Sequence, residues 1–263
     1  MNRQFKKLFF GILSFPVFLI SQCFPRSKKI WVFGSWHGTQ FSDNTAYLFQ
    51  YVINNNPNIK AVWLTENKLL IEQLKAKGYQ VFHKNSIIGF WYGSRAGFSF
   101  INCGYDDVNK YCINRSFIVQ LWHGIPLKKI KSDDNINETV NRTLILKLFR
   151  YIILKLFPFL NEKYNLIISS SPKVTEFFKS AFNISRKQII ETGFPRMDII
   201  IKSECAYERD LLYDEKMINK CILFAPTFRD SGRKTVNYIQ SLDINRMNLF
   251  LKKNNAILLI KMH

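Results

Sequence analysis

From Ile30 to the end of this chain, short apolar runs alternate with polar stretches that can form helices, and this alternation limits the fold more than any other feature. Ile30–Phe33, Ala61–Leu64, Gln80–Phe82, Phe98–Asn102 and Phe117–Trp122 read as strands. Leu166–Ser169, Ile189–Thr192, Cys221–Ala225 and Ala256–Lys261 continue the series. Asn44–Asn54, Lys68–Lys77 and Pro172–Phe182 read as helices between them, with the Asn54–Asn58 cluster around Pro57 and Lys77-Gly78 as loop and helix-stop signals. Strand and helix alternating at this spacing predict parallel βαβ units and an α/β fold. Tyr207–Lys220 is charged and carries no strand before Cys221 opens a new one, so a domain boundary is expected there.

Two segments break the rhythm. At the N-terminus, Arg3, Lys6 and Lys7 precede an apolar stretch from Leu8 to Phe24, and Arg26, Lys28 and Lys29 follow it. Pro16, Ser21 and Gln22 make the stretch marginal against the ~20 apolar residues that a spanning helix needs. No small-residue cleavage site follows, so it reads as a shallow, uncleaved anchor, with a buried first helix as the alternative. The second segment, Thr143–Leu160, is apolar with Lys147, Arg150 and Lys155 interspersed. Such a helix suits a lipid interface, and equally a core position with snorkelling cations.

With 263 residues, 47% of them hydrophobic, the chain suits one or two α/β domains. A formal charge of +19 favours anionic partners: acidic lipid, phosphate-rich substrates or nucleic acid. The basic residues are scattered and no nucleic-acid motif accompanies them, so no nucleic-acid partner is expected. The five cysteines are widely spaced without a CxxC pair, which indicates neither a zinc site nor a redox dithiol. There is no GxGxxG after the first strand, no Walker loop, no HExxH and no GxSxG.

In an open parallel sheet, ligands bind beyond the carboxyl ends of the strands, and the polar residues gather there. Ile30–Phe33 runs into Gly34-Ser35-Trp36-His37-Gly38, with Ser42-Asp43-Asn44 opening the next helix. Phe117–Trp122 runs into His123-Gly124-Ile125-Pro126-Leu127-Lys128-Lys129, and Leu166–Ser169 into Ser170-Ser171-Pro172, a helix start suited to an anion. Ile189–Thr192 leads to Arg196 and Asp198, Cys221–Ala225 to Thr227 and Arg229, and the last strand to His263. Each has a plainer reading: a loop hydrogen bond for His123, a surface ion pair for Arg196 with Asp198, a helix cap for Thr227. His37 reads as structural. Arg229 in a first helical turn opposes the helix dipole, and a bound phosphate would relieve that.

The ordered set Leu121–Lys129, Thr192–Asp198, Leu223–Asp230 and Ile260–His263 resembles the CDP-glycerol glycerophosphotransferase family, the teichoic-acid primases and polymerases. Ser35 to Asn44 is similar to that family's early loop. The resemblance covers roughly residues 30–263 and implies a GT-B-like fold of two Rossmann-like domains. The expected divisions are a membrane-associating segment over 1–26, an acceptor-side domain over 27–206 and a donor domain over 207–263. The family pattern continues beyond its second histidine, so a second domain cut short is expected. The resemblance implies a CDP-glycerol or CDP-ribitol donor and an anionic lipid-linked polymer acceptor, as in teichoic-acid or capsule-like polymers. It places the chain at the cytoplasmic face of the cell membrane.

Carried over position by position, His123 and His263 match the family's two essential histidines and are the catalytic candidates. Gly124, Lys128, Ser170, Arg196, Asp198, Thr227 and Arg229 are expected at substrate and donor phosphates, and Ser35, Asp43 and Asn44 on the acceptor side. No metal ligands or cofactor are expected, apart from Mg²⁺ carried by substrate phosphates. Two other readings stand beside the transferase: a GT-B glycosyltransferase of capsule synthesis, and an inactive membrane-bound remnant.

Overall fold

The computed structural model describes residues 3–134, 144–201, 220–225 and 243–261, which fall into two compact units divided after Lys202. Thr227, Arg229 and His263 lie outside the described residues.

The first unit is built on seven parallel strands in the order β3-β2-β1-β4-β5-β6-β7. They are β1 (Ser27–Phe33), β2 (Lys60–Thr65), β3 (Val81–His83), β4 (Ala96–Ile101), β5 (Phe117–Gln120), β6 (Leu166–Ser169) and β7 (Ile189–Glu191). Helices α1 (Arg3–Gln22), α2 (Asp43–Asn55), α3 (Lys68–Ala76), α4 (Ile87–Arg95), α5 (Leu144–Leu156), α6 (Pro172–Phe182) and the single turn α7 (Asp198–Ile201) complete it. The central stretches of the strands, such as Ile30–Phe33 and Ala61–Leu64, are apolar because both faces are covered there, as expected of parallel sheets. Ile30 and Val32 of β1 join Tyr92 of α4 and Phe178 of α6 on one face. Phe33, with Trp63 of β2, packs against Phe49 of α2 and Leu74 of α3 on the other. Phe33, Phe49 and Trp63 are fully enclosed, each worth roughly 2–3 kcal/mol of burial. The chain runs outward from β1 through β2 to β3 and then returns to β4 on the opposite side of β1. In open sheets of this kind the ligand crevice lies at the carboxyl end, at such a reversal.

In this unit three helix starts are capped by side chains: Asn67 accepts from Leu70 N–H, Ser86 from Gly89 N–H, and Ser171 from Val174 N–H ahead of Pro172. Each cap fixes where the chain leaves the carboxyl edge.

No described helix is long and apolar enough to cross a membrane. The last turns of α1 dock on the body: Phe18 and Ser21 are buried, Ser21 Oγ lies 2.8 Å from the Tyr111 carbonyl, and Phe15 packs edge-on against Phe157 at 5.4 Å. Leu13, Leu19 and Ile20 stay exposed. In α5, Leu148, Ile152 and Leu156 recur every fourth residue with Tyr151 beside them, and all four are exposed. That apolar stripe faces outward, so α5 is not enclosed as a core helix.

Within the second unit, β8 (Lys220–Phe224) and β9 (Ala256–Ile260) pair in parallel, Lys220 opposite Ala256 through Phe224 opposite Ile260, joined by a connection that includes α8 (Ile244–Lys253). Leu223, Leu249 and Phe250 of this unit are more than half exposed.

Candidate active site

The loop after β1 holds three consecutive residues at positive φ: Trp36 (48°), His37 (57°) and Gly38 (81°). Such backbone is unfavourable for non-glycine residues and persists only when its surroundings fix it. Here the fixing groups come from the segments that follow β3 and β4. Trp36 N–H donates to Asn102 Oδ1 at 3.1 Å, and His37 N–H to Asp107 Oδ1 at 2.7 Å. Asp107 Oδ2 accepts from the N–H groups of Asn102 and Cys103 at 2.8 and 2.7 Å. Burial pushes the Asp107 carboxyl above its usual range, while these N–H donors pull it down. Lys84 Nζ, almost fully enclosed, donates to the carbonyls of His37 and Asp106 at 2.7 and 2.8 Å and pairs with Glu66 at 2.9 Å. Ser35 is buried, its hydroxyl donating to Gln40 O at 2.7 Å, so it braces the loop from within.

A second joint lies where α2 starts. Asn44 is buried and its amide donates to the carbonyls of Leu121 and Trp122 at 3.1 and 2.8 Å, while its Oδ1 accepts from Arg196 N–H at 3.3 Å. One side chain thereby ties together the loops after β1, β5 and β7. Arg196 Nη1 donates to Asp43 Oδ1 at 3.0 Å, so the partner of Arg196 is Asp43 and not Asp198 as in the surface-pair reading. Gly124, at φ 154°, is a position where a Cβ would come within 3.2 Å of Arg196 Nη2, so a side chain there would crowd the guanidinium.

Between these joints sits His123. Its imidazole stacks on Trp122 at 4.2 Å and on Trp36 at 5.3 Å, with interplanar angles of 26° and 29°. Lys131 Nζ lies over the Trp122 ring at 5.7 Å. Burial holds His123 below its ordinary value; Asp43 opposes this, and Arg196, Lys131 and His37 reinforce it. A neutral imidazole at neutral pH can accept a proton, which is what a general base must do.

Of the remaining candidates, Ser170 is half-buried at the end of β6, while Lys128 and Asp198 are exposed. His37 is exposed and contributes its backbone to the loop contacts, in keeping with a structural role. The structure thus unites Asp43, Asn44, His123, Gly124 and Arg196. Trp36, Lys84, Asn102 and Asp107, which the sequence did not single out, hold them in place. Among the described residues, no three His, Cys, Asp or Glu side chains come together as a metal site. A cavity of about 460 Å³ lies on the α2 face of the sheet, but Trp31, Phe98, Phe100 and Ile168 make its walls apolar; it meets the loop cluster along Thr192–Pro195, Asp198 and Leu121.

A parallel sheet with one reversal point, and a histidine-centred loop cluster along its carboxyl edge, define a Rossmann-like α/β domain. Residues 17–263 match the family described as CDP-Glycerol:Poly(glycerophosphate) glycerophosphotransferase, and the chain belongs to that family. It is 30% identical over 262 residues to a teichoic acid poly(glycerol phosphate) polymerase of Bacillus spizizenii, covering 94% of this chain and 62% of that protein. A teichoic acid glycerol-phosphate transferase of Staphylococcus aureus is 26% identical over 261 residues, covering 90% of this chain and 60% of the relative. The solved wall teichoic acid polymerase TagF superposes with a TM-score of 0.64 at 22% identity, over 99% of this chain and 65% of that one, a likeness of fold. The chain therefore spans somewhat under two thirds of the length of these relatives.

Proposed function

We propose that this chain carries the acceptor side of a transferase that moves glycerol phosphate, or ribitol phosphate, from a CDP-alditol to a polymer or primer and releases CMP. The observation that carries the reading is His123, desolvated, stacked and beside the Asp43–Arg196 pair, at the carboxyl edge of the sheet in a member of this family. In the reaction, His123 takes the proton of an acceptor hydroxyl as its oxygen bonds to the donor's β-phosphorus. The bond from that phosphorus to the bridging oxygen breaks, and the electron pair leaves with CMP. Transfer of this kind depends on alignment and on charge stabilisation at the phosphoryl oxygens. Arg196, fixed beside His123, offers a guanidinium for those oxygens. Thr227, Arg229 and His263 hold the donor's phosphates in this reading, which for them rests on the family motif, and any Mg²⁺ arrives with the substrate.

The test is CMP release from CDP-glycerol, with CDP-ribitol and nucleotide-sugars as competing donors, by the full-length protein. Transfer should be specific to a CDP-alditol, and His123→Ala should lower turnover about 10²–10⁴-fold with little change in donor affinity. Turnover unchanged in His123→Ala would remove the histidine from the mechanism; preference for a nucleotide-sugar would favour a glycosyltransferase.

The acceptor is expected to be lipid-linked and the protein to sit on the cytoplasmic face of the membrane. The exposed apolar residues of α1 and α5, with Phe15 of α1 packed on Phe157 just after α5, and the charge of +19 support that placement.

A further inference from the structure

We infer that Trp36 is a positioning residue for His123: its indole, locked by the buried Asp107–Asn102–Lys84 scaffold, fixes the imidazole plane and shields one ring face from water. The inference builds on the role given to His123 above, but its principal test does not require transfer activity.

The geometry has three parts. His123 stacks on two indoles, and the two contacts differ in kind. Trp122 is its chain neighbour, so that contact follows from the local backbone. Trp36 comes from the other side of the β1–β4 reversal, 87 positions away by the residue numbers, and has to be brought there. The second part is what brings it. Trp36 and His37 both occupy left-handed backbone, and their N–H groups are taken by Asn102 and Asp107, while Lys84 holds the His37 carbonyl. Several buried polar groups thus converge on the backbone of a two-residue stretch. A scaffold of this kind is unnecessary for a solvent loop, and its output is the placement of the Trp36 ring. The third part is chemical. An imidazole nitrogen gives and takes its proton in the plane of the ring, and Asp43, Arg196, Lys131 and His37 set the charge around that ring. The stack therefore fixes the direction from which an acceptor hydroxyl must approach.

The experiment is ¹⁵N-edited NMR of the imidazoles in the full-length protein, with His123 assigned through His123→Gln. In the unaltered protein, the His123 ring protons should resonate upfield of those of an exposed histidine, because both indoles shield them. Trp36→Leu should remove part of that upfield shift and raise the His123 titration midpoint toward the ordinary value of about 6.5. Trp36→Phe, which keeps a ring face, should retain most of both effects. In transfer assays, Trp36→Leu should lower kcat about tenfold or more with donor KM little changed, and Trp36→Phe should recover most of the loss. An unaltered protein whose His123 protons show no upfield shift would overturn the inference without any variant. A folded Trp36→Leu protein with unchanged midpoint and kcat would overturn it as well. If the shifts behave as stated but no CDP-alditol is turned over, the positioning stands and the transferase reading fails.

Discussion

Asp43 and Arg196 stand 153 positions apart and meet at 3.0 Å, Oδ1 to Nη1, directly beside His123. The two act on the imidazole with opposite signs: Asp43 raises its affinity for a proton and Arg196 lowers it. Asp43→Asn should therefore move the His123 midpoint down and Arg196→Ala should move it up, read from imidazole NMR or from the acid limb of kcat/KM. Because Arg196 is partly solvated, losing the pair should cost only about 1 kcal/mol of folding stability. A larger effect on transfer than on stability would mark Arg196 as a phosphate contact.

Asn44 is the more consequential structural residue. Asn44→Ala leaves the Leu121 and Trp122 carbonyls and the Arg196 N–H without their partner. The expected loss is about 2–3 kcal/mol in denaturant unfolding. Asn44→Asp should be no better, since a carboxylate would face the same two carbonyls.

Asp107→Asn tests the scaffold under Trp36. An amide keeps one acceptor oxygen and turns an NH₂ toward backbone N–H groups, at a cost of about 2–4 kcal/mol. The upfield shift of the His123 ring protons should shrink in the same variant. A stable Asp107→Asn protein with the shift intact would show that the loop holds itself.

The pH dependence follows from His123. Its folded value lies below the unfolded one, so the unfolded chain takes up the proton first as pH falls. This group therefore leaves stability unaffected above about pH 6.5 and lowers it below that. Activity should persist to a lower pH than an exposed histidine base would allow. Comparing kcat/KM profiles of the unaltered protein and Trp36→Leu across pH 5 to 8 checks this, the variant losing activity at the higher pH.

The outward stripe on α5 predicts binding to anionic vesicles. Leu148→Glu with Ile152→Glu should weaken co-sedimentation about tenfold or more, and added salt should weaken it further. Unchanged sedimentation would separate α5 from any lipid contact.

Most strands of the seven-stranded sheet could be read from the sequence because burial on both faces gives each a short apolar run at its centre. Helix α4 could not. Its Gly89 and Gly93 argue against a helix by propensity, yet a Cβ at Gly89 would lie 2.2 Å from the His83 carbonyl, and one at Gly93 3.0 Å from Cys112 Cβ. Glycine is there because the helix lies flush against the chain beneath it. In the site, Asp43, Asn44, His123 and Arg196 were legible as polar residues at strand ends. Their pairing was not: the sequence suggests Asp198 for Arg196 because it is near in the chain, whereas the sheet brings Asp43. Asp107 and Lys84 left no legible signal, because they act on backbone groups that every sequence has.

Trp36, Asp43 and Trp122 all hold φ between 48° and 63°, a conformation that costs roughly 1–3 kcal/mol per residue in non-glycine positions. Glycine at any of these positions would relax that tension and also erase the ring or charge that the position exists to present. Selection for heat tolerance alone would therefore drift toward glycine in these loops and away from catalysis. Among the variants of this protein, the most durable and the most active should be different molecules.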